Sequence, residues 1–190
     1  MSDPAITSAV DRPFTVTDEV VLQMLPACAR LLVRGAEAAR SKAGTALFEN
    51  FGIDLPQYAC RSARQGDYAG LWLGPDEWLV LAPVGDLTAI RRALEEALND
   101  TPHALVDVSD RHLALQVAGA LAADVLNTAC PLDLGTVTFP VGMCTRTLMG
   151  KAEAILWRMD AETFRIESQR SFSSYHAGLL GDAVRALTAF

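Results

Sequence analysis

Apolar and polar positions follow two periods along this chain. Short runs of consecutive apolar residues read as buried strands, and stretches with an apolar residue every three or four positions read as amphipathic helices. Ala27 to Gly35 (ACARLLVRG) reads as a strand ending in glycine. Ala36 to Phe51 reads as a helix with Ala36, Ala39, Ala43, Leu47 and Phe51 on one face, Gly52 as its C-terminal cap and Pro56 closing the segment. Tyr58 to Gln65 follows as a strand, with a turn at Gly66-Asp67. Ala69 to Pro83 (AGLWLGPDEWLVLAP) is a hairpin around Gly74-Pro75-Asp76-Glu77, where Pro presets φ and Gly and Asp suit a turn. Leu71 to Leu73 and Trp78 to Ala82 are apolar at consecutive positions, so both faces of the hairpin must be covered. Helices of the chain can cover one face; a second sheet of the same chain, or another subunit, can cover the other.

Asp86 reads as the N-cap of a helix from Leu87 to Leu98, with Leu87, Ile90, Leu94 and Leu98 as its apolar stripe. The central stretch, Ala104 to Gly135, reads as a strand to Gly119, a helix from Ala120 to Ala129 packing Leu121, Val125 and Leu126, and an exit at Pro131. Thr145 to Met149, Glu153 to Met159 and Thr163 to Ser168 read as strands, and Phe172 to Leu187 as an amphipathic helix with Ser171 as its N-cap. Residues 1–26 hold Pro4, Pro13 and Pro26 and no steady period. They read as an N-terminal arm, with a short strand or turn near Phe14 to Val16 and an apolar patch from Val20 to Leu25 that pins it to the body or to a neighbour.

An internal echo organises these elements. LLVRGAEAARSKAGTALFENFGIDLP and LALQVAGALAADVLNTACPLDLG share a grammar of apolar strand, Gly-Ala, Ala-rich helix and short exit. The expected fold is therefore α+β: two βαββαβ-like halves, about 27–102 and 103–190, with antiparallel sheets and helices on one side, forming a single domain over 27–190.

Composition narrows the function. The 190 residues carry 16 Lys and Arg against 23 Asp and Glu, a net charge of -7. No basic stripe is present to meet phosphates, which argues against nucleic acid. Mean hydropathy is +0.20, high for a soluble chain, yet no run reaches the roughly 18 apolar residues of a membrane span. The surplus apolar surface must be buried internally or against a partner. The first residues (MSDPAITSAVDRPF) lack the basic and apolar regions of a signal peptide, so a cytoplasmic location is expected.

Candidate chemistry is sparse. None of the 13 glycines forms GxGxxG or GxxxxGK[ST], so no dinucleotide or triphosphate cradle is expected. Cys28, Cys60, Cys130 and Cys144 lack metal-knuckle or CxxC spacing and read as buried thiols. His103, His112 and His176 share no spacing that would hold a metal. On an unbroken strand Asp107, Ser109 and Arg111 share one face, either as a patch for an anionic ligand or as an Asp–Arg pair bridged by a hydroxyl. Ser168-Gln169-Arg170-Ser171 precedes the last helix and reads as its cap, with anion binding as the alternative. Trp72, Trp78 and Trp157 lie on apolar strands and read as core or interface anchors. No catalytic, cofactor-binding or metal-binding residue is assigned.

Four blocks, LWLGPDEWLVL, DVSDRHLALQVAG, LAADVLNTACPLDL and SQRSFSSYHAGLL, together resemble the gamma-subunit family of heterotetrameric sarcosine oxidase, from about Arg30 to Leu180. DVSDRHLALQVAGALAADVL is similar to the opening of the folate-binding aminomethyltransferase superfamily. The resemblance implies a subunit that works beside alpha, beta and delta subunits in the oxidative demethylation of sarcosine to glycine. The products would include hydrogen peroxide and formaldehyde or methylenetetrahydrofolate. It implies that FAD, FMN, NAD, zinc and tetrahydrofolate belong to the partner subunits and none to this chain. Active members of the superfamily carry an acidic residue after a Gly-Gly turn; the corresponding stretch here is Gly150-Lys151-Ala152-Glu153-Ala154-Ile155-Leu156, with Ala154 and Ile155 where that carboxylate is expected and Glu153 as its substitute if there is one. A folate-dependent enzyme acting alone, and a binding module of another amine-oxidising complex, are the competing readings.

Overall fold

The computed structural model describes residues 13–189. The elements run β1 (Pro13–Val16), β2 (Val21–Met24), β3 (Ala29–Gly35), α1 (Glu37–Phe51), β4 (Ser62–Gln65), β5 (Tyr68–Gly74), β6 (Glu77–Ala82), α2 (Leu87–Leu98), β7 (His103–Asp107), β8 (His112–Ala118), α3 (Ala122–Asn127), β9 (Cys144–Met149), β10 (Ala152–Arg158), β11 (Thr163–Gln169) and α4 (Ser173–Leu187). They build two antiparallel sheets, one in the order β4-β5-β6-β3-β7 and one in the order β1-β2-β8-β11-β10-β9.

The strand period of two places these sheets in a helix–sheet–sheet–helix stack. On β3, Leu31 and Val33 join Trp78, Val80 and the buried faces of α1 and α2 in one core. On the other sheet, Leu115, Val117, Leu156, Phe164 and Ile166 pack with Val125 and Leu126 of α3 and Leu180 and Val184 of α4. The opposite faces meet each other: Leu71, Leu73, Leu79 and Leu81 lie against Cys144, Ile155 and Trp157. The hairpin expected to be covered on both faces is β5–β6, and its second cover is the other sheet of the same chain. Each fully buried aliphatic side chain here contributes about 1.5–3 kcal/mol relative to exposure.

The two halves match strand for strand. The order β4-β5-β6-β3-β7 corresponds to β9-β10-β11-β8-β2, with α1 and α2 matched by α3 and α4. The fifth strand differs in origin. In the first half it is β7, which follows α2; in the second it is β2, which comes from ahead of β3. The expected N-terminal arm therefore contributes two strands, β1 and β2, to the six-stranded sheet, and residues 1–12 lie outside the described residues.

The expected boundary near residues 102 and 103 also moves. His103 to Asp107 pair with β3, so the chain changes sheet only after Asp107. The unbroken strand read from Ala104 to Gly119 is two strands, because the Asp107 carboxylate accepts the Ser109 N–H at 2.9 Å and the Ser109 hydroxyl at 2.6 Å. That side-chain turn ends β7. At the far end of β8, Gly119 has φ 125°, and a Cβ there would lie 2.2 Å from the Glu19 carbonyl oxygen. Only glycine lets β8 end against the segment leading into β2.

Helix ends show smaller differences. Gly52 caps α1 in the left-handed region, as expected. Asp86 precedes α2 but makes no side-chain cap; its carboxylate accepts the Tyr68 hydroxyl at 2.6 Å. Ser171 is not the cap of α4, which begins at Ser173 after a short 3-10 turn over Arg170–Phe172.

Candidate functional site

The layer between the two sheets is where charged side chains of both halves converge. Along it lie two hollows separated by a buried ion cluster.

The cluster is Arg30 on β3 with Arg165 and Glu167 on β11. Arg30 Nε donates to Glu167 Oε2 at 2.6 Å, and Arg165 Nε donates to Glu167 Oε1 at 2.7 Å. Arg30 and Glu167 are 2% and 1% exposed. Arg30 Nη1 also donates to the Cys28 carbonyl at 3.0 Å, and Arg165 Nη2 reaches Cys28 Sγ at 3.1 Å. Burial alone would push the Glu167 carboxyl up; Arg165 and Arg30 together hold it below the ordinary carboxylate value. Each oxygen of Glu167 is thus taken by a different arginine, Arg165 on its own strand and Arg30 on the other half, and the Arg30 bond latches one sheet to the other.

On one side of this latch a hollow of about 100 Å³ is lined by Cys28, Tyr68, Leu81, Trp157 and Arg165 among others. The Trp157 indole N–H has no hydrogen-bond partner among the described residues. On the other side a cleft of about 430 Å³ opens, with Leu32, Leu79 and Ile155 as its apolar wall and Arg34, Arg111, Arg146, Glu77, Glu153, His112 and Gln169 as its polar lining. Arg146 forks onto Glu77, Nη2 to Oε1 at 2.6 Å and Nη1 to Oε2 at 3.1 Å. That pair lowers the Glu77 carboxyl pKa. Glu153 lies 3.9 Å from Arg146 Nε. Arg111 is exposed and has no ion-pair partner among the described residues. Burial holds the His112 imidazole below its ordinary pKa, so it is neutral near pH 7.

The expected patch of Asp107, Ser109 and Arg111 is not assembled. Ser109 Oγ accepts the Arg30 N–H at 2.9 Å while bonding Asp107, and Arg111 instead lines the cleft. The two readings offered for these residues, an anion patch and an Asp–Arg pair, both assumed an unbroken strand, and the turn at 108–111 removes that premise. Ser168-Gln169-Arg170-Ser171 does not gather round a helix start either. Ser168 is buried on β11, Gln169 lines the cleft, and Arg170 Nε donates to the Asp110 carbonyl at 2.8 Å.

Ser168 Oγ and His176 Nδ1 are 2.7 Å apart, a juxtaposition not visible from the sequence. Both are 0% exposed. Burial lowers the His176 pKa, and the pair is a core hydrogen bond joining β11 to α4. Cys144, buried between the sheets, is equally unsuited to nucleophilic chemistry: burial pushes its thiol up to about 12.

The three tryptophans fall inward. Trp78 is 1% exposed under the helices, with its indole N–H on the Pro56 carbonyl at 2.9 Å, and Trp157 is 4% exposed between the sheets. Neither can meet another chain, which corrects the expectation of interface anchors at these two positions. Trp72 is half-buried against the first core. Packing of the second sheet on the hairpin consumes the surface that apolar runs had suggested for a partner. Ala154 points to the helices and Ile155 into the inter-sheet layer, and Glu153 shares the Ile155 face, at the cleft. No described helix is long and apolar enough to cross a membrane.

The sequence profile described as "Sarcosine oxidase, gamma subunit family" matches residues 34–186. The chain is 34% identical over 140 residues to sarcosine oxidase subunit gamma of Corynebacterium sp. (strain P-1), covering 73% of this chain and 68% of that one. It is 32% identical over 152 residues to sarcosine oxidase subunit gamma of Arthrobacter sp., covering 79% and 74%. Among solved structures, a chain of heterotetrameric sarcosine oxidase from Corynebacterium sp. U-96, in complex with pyrrole 2-carboxylate, matches with a TM-score of 0.84 at 29% identity over 92% of this chain and 89% of that one. Glycine cleavage system aminomethyltransferase T from Bartonella henselae matches with a TM-score of 0.61 at 14% identity, over 85% of this chain and 45% of that one, and shares the fold.

Proposed function

The chain belongs to the sarcosine oxidase gamma subunit family, and from that premise we propose that it is an assembly subunit of a heterotetrameric sarcosine oxidase. In this reading the two halves act as one unit in the cytoplasm. Alpha, beta and delta subunits are its partners and hold the FAD, FMN, NAD, zinc and tetrahydrofolate chemistry. The complex demethylates sarcosine oxidatively to glycine, with hydrogen peroxide and formaldehyde or methylenetetrahydrofolate as the other products. This chain supplies no reacting group.

The observation that carries the reading is the use of the inter-sheet layer. Its most buried charged groups bond one another: Glu167 is saturated by Arg30 and Arg165, and Glu77 is held by Arg146. Groups so engaged stabilise the joint between the halves and are not poised for proton transfer or nucleophilic attack. The competing reading of a folate-dependent enzyme acting alone loses support, because Ile155 packs into the inter-sheet layer and Glu153 leans to Arg146.

The test is purification of a tagged chain from its native host. The expected result is copurification with larger yellow flavoprotein subunits and sarcosine-dependent peroxide formation. A lone colourless chain that binds tetrahydrofolate would overturn the reading.

A further inference from the structure

The two sheets have four edges, and three of them are defended against further strand pairing. β1 begins with Pro13 and carries a register shift between Pro13 and Thr15. β4 is four residues long and carries Arg64. β9 carries Arg146, and the residues leading into it are bridged to the first half through Arg61 and Met143. Proline, bulges, short length and charge are the usual guards of an edge. β7, with the sequence HALVD, has no proline, no bulge and no charge over Ala104-Leu105-Val106. It is exposed at every position but Leu105, and Val106 is 46% exposed.

The internal repeat shows what such an edge takes. β7 occupies in its sheet the place that β2 occupies in the other. Outside β2 lies β1, an antiparallel strand; outside β7 no described strand lies. The backbone is ready for one. Val108 N–H donates to the Arg30 carbonyl at 2.9 Å. The antiparallel ladder alternates, so Ala104 and Val106 bond β3 while His103, Leu105 and Asp107 turn their N–H and C=O groups outward.

We propose that β7 is a docking edge, and that its occupant is an extended segment of a partner subunit, paired antiparallel to β7 as β1 is to β2. The occupant has an uncharged centre opposite Ala104-Leu105-Val106, because charge there would be desolvated beside Val106 without a partner. Main-chain hydrogen bonds supply the affinity and the apolar centre sets the register. The inference rests on the assembly reading above, since it requires a partner chain.

Amide hydrogen exchange on the isolated chain and on the copurified complex tests it. Amides of His103, Leu105 and Asp107 should exchange at least about tenfold more slowly in the complex. Two variants sharpen the result. Leu105→Pro removes an outward donor and no bond to β3, and Val106→Lys places a charge on the exposed face. Each should cut recovery of partner subunits about tenfold while the isolated variant keeps its wild-type circular dichroism. Should Leu105→Pro fail to fold, Val106→Lys still decides. A complex that assembles with these amides unprotected, or with both variants at full recovery, overturns the docking edge and leaves the assembly reading standing. Protection that rises with the concentration of the isolated chain would mean that a second copy takes the edge, and also overturns it. If no partner copurifies, the assembly reading itself fails and this inference with it.

Discussion

Two ion clusters share the layer between the sheets, and their surroundings separate them. Arg30, Glu167 and Arg165 lie out of water, with Glu167 1% exposed and both its oxygens taken. Arg146, Glu77 and Glu153 lie at the cleft, with the Arg146 side chain 34% exposed and Glu153 58%. In each cluster one pair joins β-strands of opposite halves, Arg30 with Glu167 and Arg146 with Glu77. Water decides what each is worth: an ion pair out of solvent is costly to break, and one at the rim is screened. The comparison teaches that a convergence of charges in this fold is first a joint, and that only its wet end is free to do anything else.

The largest effect expected is from Glu167→Ala, which leaves two buried guanidiniums facing each other. Denaturant unfolding should show a loss of about 3–5 kcal/mol. Replacing all three together (Arg30→Met, Glu167→Leu, Arg165→Leu) should restore most of that loss, since a well-packed apolar set is often as stable as a buried ion cluster. A triple variant as unstable as Glu167→Ala would show that the charges themselves hold the halves together.

Acid is the next lever. His112 and His176 have pKa values lowered by burial from an ordinary 6.5. The unfolded chain takes up their protons first, so the stability they confer is complete above pH 6.5 and declines as pH falls toward their folded values, by at most about 1.4 kcal/mol per pH unit for each group. Glu167, lowered from 4.5, adds a second decline below that pH. Unfolding midpoints measured from pH 7.5 downward should fall in these two stages. A midpoint that rises between pH 6.5 and 5 would contradict the buried neutral histidines.

Arg146→Ala should cost about 0.5–1 kcal/mol, because its pair with Glu77 is part exposed. A loss as large as that of Glu167→Ala would erase the contrast between the clusters. The smallest effect should be that of Trp157→Phe. Its indole N–H is buried without a partner among the described residues, so losing it costs at most about 1 kcal/mol in packing. A fall of several kcal/mol in chemical unfolding would mean that this N–H is bonded after all.

Much of this fold was legible in the chain. Leu87, Ile90, Leu94 and Leu98 marked α2 to the residue, and the doubly apolar β5–β6 hairpin foretold a cover on both faces, with a second sheet or another subunit as the alternatives for one of them. What was hidden was long-range. Asp107-Val108-Ser109 carries strand-like residues, and only the Asp107–Ser109 side-chain bonds show that one strand is two in different sheets. β2 belongs to the second half although it precedes the first, a pairing that no local period encodes. The latch between the halves was missed for the same reason: Arg30 and Glu167 are 137 residues apart. A signal did exist, because a charge inside a strand buried on both faces must have a partner. Of the tryptophans read as core or interface anchors, Trp78 and Trp157 are spent inside the chain.

Assembly without a reacting group of its own is the role proposed for this chain. Turnover per flavin, measured on the purified complex carrying Arg111→Ala or Glu153→Gln in this chain, tests it most directly. Both residues line the cleft, and neither bridges the halves: Arg111 has no ion-pair partner among the described residues, and Glu153 faces Arg146 on the neighbouring strand of its own sheet. The account predicts wild-type turnover within about twofold, with unchanged subunit recovery. A drop of about a hundredfold in turnover by a fully assembled complex would place the chemistry on this chain and contradict the account.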